Sequence, residues 1–282
     1  MIRRLLNYAL DLRDRQRMII ALSKGSAMMH ARKIDLTRPE TWEFSGFSQN
    51  GEDGILDVLR HQLKKTNRYF IEIGASDGME NNSAWLVVAE QFSGIMVEGN
   101  PRLVERARRM IGIFTGRTEF KNVFVTIESA KALKRMALYS DPDVLSLDID
   151  GNDYYIAKAL LDAGFRPRIF TVEYNSVYGP KRCMTIEYRS DFSSANAHPS
   201  ELYYGVSIAG WRKFFDSRGY RFITVDRNGV NAFFVDPDCF DADFLGGVRG
   251  LEFAENRYQY TKFSKASEEQ FEMIADQKFI SI

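Results

Sequence analysis

The feature that most constrains the fold is a series of short apolar segments separated by segments with helical spacing. The apolar segments lie at residues 69–73, 94–98, 123–125, 144–150 and 169–173. Strands that alternate with helices in this way predict an α/β fold with a doubly wound, mostly parallel, seven-stranded sheet. Asn228 and Gly229 then separate two β-rich runs, 220–225 and 230–235, which predicts a terminal antiparallel hairpin.

Acidic residues stand at the ends of these predicted strands. They are Glu72, Glu98, Asp148, Asp150 and Glu173. In open sheets of this type, ligands bind beyond the carboxyl ends of the strands, which meet at one edge. Five acids on that edge therefore predict a ligand site.

The composition narrows the class of partner. The 282 residues carry 38 basic and 38 acidic side chains, so the formal net charge is zero and nothing in this balance indicates a nucleic-acid partner. The two cysteines, Cys183 and Cys239, form no paired motif, which is typical of a reducing compartment and predicts a cytoplasmic protein. The sequence shows no apolar run of the length that spans a bilayer.

Three regions are predicted along the chain. Residues 1–45 form a basic helical extension, residues 46–238 a cofactor-binding domain with a substrate-binding insert at 176–206, and residues 239–282 a C-terminal appendage. A basic amphipathic helix either makes a peripheral contact with an anionic membrane or packs on its own domain or on a second subunit of a homo-oligomer. Both interpretations are open at this stage, and Pro39 is predicted to end the segment.

The first strand runs directly into the glycine turn Gly74-Ala75-Ser76-Asp77-Gly78. No Gly-Lys-Ser/Thr sequence follows, so the turn is not a P-loop. Met79 occupies the place of a small residue in a dinucleotide-binding motif, and Asp77 and Glu80 would repel a pyrophosphate, which argues against an NAD-dependent oxidoreductase. S-adenosylmethionine has positive charges and no phosphate, and Glu98 is placed to accept its ribose hydroxyls.

Three motifs in order resemble a class I S-adenosylmethionine-dependent methyltransferase, above all its FkbM-like branch. They are Glu72-Ile73-Gly74-Ala75-Ser76-Asp77-Gly78, Glu98-Gly99-Asn100-Pro101 and Leu147-Asp148-Ile149-Asp150-Gly151, after a Ser48-Gln49-Asn50-Gly51-Glu52-Asp53 entry. The resemblance covers roughly residues 47–236 and implies that adenine lies near residues 122–128. The predicted cofactor-binding residues are Gln49, Glu72, Gly74, Ala75, Ser76, Asp77, Glu98 and Asp148.

Methyl transfer to a hydroxyl requires alignment and removal of a proton, and two arrangements of residues could provide them. In the first, Asp150, Glu173 and Asn175 hold Mg²⁺ or another divalent cation, an arrangement that resembles metal-dependent O-methyltransferases. In the second there is no metal, Asp148 or Asp150 contacts the cofactor or substrate, and His198 is the base. Asp150 and His198 are therefore the predicted catalytic residues.

The acceptor is predicted to be a small molecule or a glycan. The family resemblance and the polar, aromatic and basic insert indicate a hydroxyl of a carbohydrate or glycolipid; the insert residues are Tyr178, Arg182, Tyr188, Arg189, Tyr203 and Tyr204. The competing hypothesis is a catalytically silent binding module that retains the fold. That module would bind the cofactor without turnover.

Overall fold

A computed structural model describes residues 2–112, 115 and 117–282 of the chain, without the side chains of residues 2–11. Its helices are α1 (Ile2–Ala31), α2 (Glu52–His61), α3 (Ala84–Val88), α4 (Pro101–Met110), α5 (Ser129–Met136), α6 (Asp153–Asp162), α7 (Ser194–Ala197), α8 (Ile208–Ser217), α9 (Ala242–Gly247), α10 (Arg257–Phe263) and α11 (Ser267–Glu272). Its strands are β1 (Tyr69–Ile73), β2 (Ser93–Glu98), β3 (Thr118–Asn122), β4 (Val144–Leu147), β5 (Ile169–Glu173), β6 (Met184–Ile186), β7 (Arg221–Val225), β8 (Asn231–Val235) and β9 (Phe279–Ser281).

Seven strands form the central sheet in the order β3-β2-β1-β4-β5-β8-β7. The first five are parallel, and β8 runs antiparallel between β5 and β7. Successive side chains of a strand point to opposite faces, so Phe70 joins the core on one side of the sheet and Ile71 the core on the other. The predicted doubly wound, mostly parallel, seven-stranded sheet and its terminal antiparallel hairpin are confirmed.

Two predicted strands differ in the structure. The third was predicted at 123–125 but lies at Thr118–Asn122, and the fourth ends at Leu147 rather than at residue 150. β3 is an edge strand and pairs only with β2. Its residues are half-buried or exposed and, apart from Phe120, polar, so the sequence lacks the apolar run of an interior strand. Residues 123–125 instead form part of a cavity wall.

The N-terminal helix packs on the domain. α1 ends at Ala31, and Pro39 begins a separate short 3₁₀ turn, so the prediction that Pro39 ends the helical segment was wrong. Met18 is buried in the core that also holds Trp85. A Cβ on Gly25 would come within 2.4 Å of the Trp85 ring, so glycine allows this close approach. Leu5, Leu6 and Ala9 also recur at roughly helical spacing in the sequence, but their side chains lie outside the part of the chain that the structure describes.

The predicted insert and the C-terminal appendage pack together. β6, from the insert, pairs antiparallel with β9 near the C-terminus. Their shared core contains Tyr178 and Tyr203 among its buried residues, and Phe279 packs against it. The structure therefore joins two segments that the sequence analysis treated separately. Within the described residues, no helix is both long enough and apolar enough to cross a membrane.

Candidate functional site

A cavity of about 580 Å³ lies at the carboxyl edge of the sheet. The predicted site residues lie at or just after the ends of the strands there. Its acidic lining residues are Glu52, Glu72, Glu80, Glu98, Asp148, Asp150 and Glu173. Among the residues that the structure describes, no lysine, arginine or histidine lines it. The cavity is therefore strongly acidic and suits a ligand with positive charge or with many hydrogen-bond donors.

The glycine turn passes between two strand ends. The backbone N–H groups of Gly74 and Ala75 both donate to the Val97 carbonyl at 3.0 Å. Gly74 has φ +90°, and a Cβ there would lie 1.6 Å from the carbonyl oxygen of Asp148. Only glycine allows this approach. Ser76, also with positive φ, directs its N–H to Glu98.

Glu98 lies at the end of β2 with both carboxylate oxygens already oriented by the backbone. One oxygen accepts from the Ser76 N–H at 3.0 Å and the other from the Asn100 N–H at 2.7 Å. Each oxygen keeps further acceptor capacity, and the side chain borders the cavity. Leu103 and Phe124 line the cavity nearby and provide apolar surface beside this carboxylate.

Three carboxylates form a tight cluster at the other end of the cavity. Oxygen atoms of Asp148, Asp150 and Glu173 lie within 4.8 Å of one another. Burial, and then the nearby Asp150 carboxylate, raises the pKa of Asp148 well above its usual value. Burial, and then the charge of Asp148, does the same for the pKa of Glu173. The cluster therefore favours a bound cation or a retained proton.

Asp153 holds the loop that carries Asp150. Its carboxylate accepts from the backbone N–H groups of Ile149 at 3.0 Å and Gly151 at 2.9 Å. Asp150 itself has φ +51°, a conformation that non-glycine residues adopt at a cost. The turn between β4 and α6 thus places Asp150 at the cavity in a strained backbone conformation. Desolvation raises the pKa of its carboxyl group.

Glu72 lies deeper, with an exposed fraction of 1%. Burial raises its pKa to about 7. One carboxylate oxygen accepts from the Asn82 N–H at 3.4 Å, and the other is buried without a hydrogen-bond partner among the described residues. Gln49 lines the outer wall, where its amide donates to Glu80 at 3.0 Å.

The structure thus brings seven predicted residues of the site to one cavity. They are Gln49, Glu72, Gly74, Ser76, Glu98, Asp148 and Asp150, together with the predicted ligand Glu173. Ala75 lies buried behind the turn rather than in the lining. The acidic cluster contains Asp148 beside the predicted ligands Asp150 and Glu173.

Three other predicted residues lie away from the cavity lining, namely Asp77, Asn175 and His198. Asp77 contacts Arg17 of α1 and Arg106 of α4, at 3.3 and 3.2 Å. Because Asp77 and Glu80 are both ion-paired and α3 begins only at Ala84, the predicted repulsion of a phosphate at a helix start by these acids does not apply.

Asn175 and His198 make local contacts instead. The Asn175 amide donates to the carbonyl groups of Leu202 and Tyr204, and its oxygen accepts from Val177. His198 Nδ1 lies 2.7 Å from the hydroxyl of Ser200, and the ring is not part of the cavity lining.

Glu52 and Asn231 are among the lining residues that were not predicted from the sequence. Glu52 accepts from the side-chain amide of Asn231 at 2.8 Å, and this pair closes one side of the cavity. The polar density before Ile55 was a usable signal for Glu52. The sequence contains no comparable signal for Asn231. This residue reaches the cavity only because β8 pairs antiparallel with β5, which places Asn231 opposite Glu173.

The chain has no matching sequence family model, and no curated protein matches it. Among solved structures, it is similar to an O-methyltransferase from Bacillus cereus in complex with S-adenosylhomocysteine, with 14% identity, a TM-score of 0.43, and coverage of 78% of this chain and 89% of that one. It is also similar to the O-methyltransferase TomG from Streptomyces achromogenes in complex with S-adenosylmethionine, with 16% identity, a TM-score of 0.44, and coverage of 75% and 94%. At these scores the resemblance assigns no activity to the chain.

Proposed function

We propose that this chain is an S-adenosylmethionine-dependent O-methyltransferase of the FkbM-like type. The observation that carries the proposal is the cavity at the carboxyl edge of the sheet, which is lined by acids and by no basic side chain of the described residues. A nucleotide cofactor with phosphates would find no basic side chain in this lining to bind its negative charge. S-adenosylmethionine combines an adenosine with a sulfonium and an ammonium group, and its charge fits this lining.

Each part of the cofactor has a candidate partner in the cavity. Glu98 would hold the ribose hydroxyls with its free lone pairs, and Leu103 and Phe124 would contact the adenine. The methionine end would lie along Gly74 and Ser76, with Glu72 near its ammonium group. The cofactor would supply the methyl group of its sulfonium. S-adenosylhomocysteine would remain after the transfer.

The acceptor that we propose is a hydroxyl of a carbohydrate or glycolipid. Asp150, Glu173 and the amide oxygen of Asn231 are hydrogen-bond acceptors at the same end of the cavity. A polyol offers many O–H donors to such a surface. Three of the insert tyrosines that suggested a sugar site, Tyr178, Tyr203 and Tyr204, are buried, so support for this acceptor comes from the cavity oxygens.

Asp150 is the residue that we propose as the proton acceptor. It is the most exposed carboxylate of the acidic cluster and borders the cavity. The acceptor hydroxyl would lose its proton to the Asp150 carboxylate as its oxygen takes the methyl group, which gives a methyl ether and a protonated Asp150. His198, the alternative base, would need to approach from outside the lining.

A divalent cation is a second possibility at the same cluster. Three carboxylates supply hard oxygen ligands of the kind that Mg²⁺ prefers, so the residues fit such an ion. Asp148, Asp150 and Glu173 would hold it, and its charge would lower the pKa of a bound hydroxyl. Removal of cations with EDTA distinguishes the two versions, because only the second loses activity.

Calorimetry with S-adenosylhomocysteine tests the cofactor assignment directly. We expect one site per chain, with NAD and ATP giving no heat of binding under the same conditions. Binding of NAD in place of S-adenosylhomocysteine would contradict the proposal. Binding of S-adenosylhomocysteine without methylation of any glycan acceptor would favour the silent binding module.

A further inference from the structure

The inner face of α1 is firmly seated on the domain. Met18 is buried, and Gly25 lies against the Trp85 ring. Asp14 is also buried and pairs with Arg106 of α4 at 2.7 Å. These contacts determine which side of the helix faces away from the protein.

The outer face carries an apolar stripe. Leu12, Ile19 and Ile20 are exposed by 48%, 62% and 65%. At 100° per residue they fall within an arc of about 100°, opposite the side that holds Asp14 and Met18. Isolated exposed leucines are common on protein surfaces, but three large aliphatic side chains on one stripe of a helix form a patch.

The charge around this stripe has one sign. Exposed basic residues flank it on both sides, Arg15 on one and Arg13 and Lys24 on the other. The single acid in residues 12–31 is Asp14, which is buried against Arg106. The solvent-facing surface of this part of α1 therefore carries three exposed aliphatic side chains, with the uncharged Gln16 and Ser23 between them and basic residues at its edges.

We propose that this outer face of α1 docks on an anionic lipid bilayer. An apolar stripe with basic flanks matches the acyl boundary and the phosphate headgroups of such a surface. A second copy of the helix is disfavoured, because it would bring the same basic residues together.

Docking in this way would bring the cavity close to lipid headgroups. Arg17 links α1 to Glu80 at 2.6 Å, and Glu80 borders the cavity together with Gln49. This last step rests on the proposed function, whereas lipid binding itself does not. Vesicle binding and cofactor binding are therefore separate measurements, and either one can fail alone.

Sedimentation of the full chain with vesicles tests the proposal. We expect binding to vesicles of phosphatidylserine and phosphatidylcholine, weak binding to phosphatidylcholine alone, and loss of binding at high salt. The double variant Ile19→Gln/Ile20→Gln should lower the partition coefficient about tenfold or more. The matched control is Leu138→Gln, since Leu138 is 70% exposed on another part of the surface.

A second pair of variants tests the charge. Arg13→Gln/Arg15→Gln should reduce binding about tenfold, whereas Lys131→Gln/Arg135→Gln on α5 should leave it unchanged. Circular dichroism should show that all variants keep the fold, because the changed side chains are exposed. Equal binding of wild type and Ile19→Gln/Ile20→Gln would overturn the proposal. A dimer in light scattering that this variant dissociates, with no vesicle binding, would overturn it in favour of a second copy.

Discussion

Gly74 and Asp148 approach each other so closely that a side chain on Gly74 would collide with the backbone of Asp148. The hypothetical Cβ lies 1.6 Å from the Asp148 carbonyl oxygen. This contact holds the ends of β1 and β4 together at the edge where the cavity opens. The glycine turn is therefore a requirement of the sheet as well as of a ligand.

The first prediction follows from that contact. Gly74→Ala should lower the free energy of unfolding by about 3 kcal/mol or more, because neither backbone segment can move freely and φ is +90°. Chemical denaturation measures the change. Gly246→Ala is the matched control, since nothing lies within 4 Å of its Cβ position, and it should leave stability unchanged or slightly increased. Equal stability of both variants would contradict the contact.

The second prediction concerns the ribose. Glu98→Gln should weaken binding of S-adenosylhomocysteine by about tenfold to a hundredfold, because a charged acceptor for hydroxyl donors becomes a neutral one. Calorimetry measures the difference. The control is Glu105→Gln on the neighbouring helix α4, where the side chain is exposed and pairs with Arg108. A Glu98→Gln variant that binds as tightly as wild type would exclude Glu98 as the ribose ligand.

The interior strands of the central sheet could be predicted from the sequence because they are apolar and have acidic residues at their ends. β1 and β5 were predicted with the bounds that the structure has. β3 was misplaced because an edge strand with polar residues has no comparable signal. Short segments that depend on distant partners, such as β6 and β9, cannot be found from local pattern, since each is stabilised by the other.

The site was predictable only to the extent that strand ends determine it. Glu98, Asp148 and Glu173 follow strands, and topology brings them to one edge. Asp77 has the sequence position of a cofactor residue, but its side chain is drawn to Arg17 and Arg106 from two other helices. Those partners lie 60 residues before and 29 residues after it in the sequence, so no local motif reveals them.

The third prediction tests whether Asp77 is structural. Asp77→Asn should loosen α1 and increase its cleavage by trypsin, because Arg17 and Arg106 lose a shared carboxylate. Its side-chain oxygen can still accept from the Met79 N–H, so the turn should persist. Binding of S-adenosylhomocysteine should stay within about threefold of wild type. If cofactor binding falls strongly while α1 stays protected from trypsin, Asp77 contacts the cofactor and is not only structural.

The fourth prediction uses the raised pKa of Glu72. The ordinary value is 4.5 and burial raises it to about 7, so the folded state holds the proton more tightly than the unfolded state. Below pH 4.5 the carboxyl is protonated in both states and costs nothing. Between about pH 4.5 and 7 the unfolded chain loses this proton while the folded chain keeps it, so the stability falls by on the order of 3 kcal/mol, and the loss is complete above the folded pKa.

Glu72→Gln should therefore stabilise the protein at pH 8 and have little effect on stability near pH 4. Thermal unfolding at the two pH values measures this difference. The same variant should weaken S-adenosylhomocysteine binding most at pH 8, where wild-type Glu72 is charged and can attract the ammonium group. A stability change that is the same at both pH values would contradict the raised pKa.

The last prediction addresses the cluster of Asp148, Asp150 and Glu173. If it binds a divalent cation, added Mg²⁺ should raise the unfolding temperature, because the ion binds the folded chain and relieves repulsion among the three carboxylates. The rise should grow with pH, since protons compete for Asp148 and Glu173, whose pKa values are raised by burial. Asp150→Asn should abolish the rise, whereas Asp243→Asn on α9 should not. If Mg²⁺ leaves the unfolding temperature of the wild type unchanged at pH 8, the cluster acts without a metal, and Asp150 alone remains the candidate for proton removal.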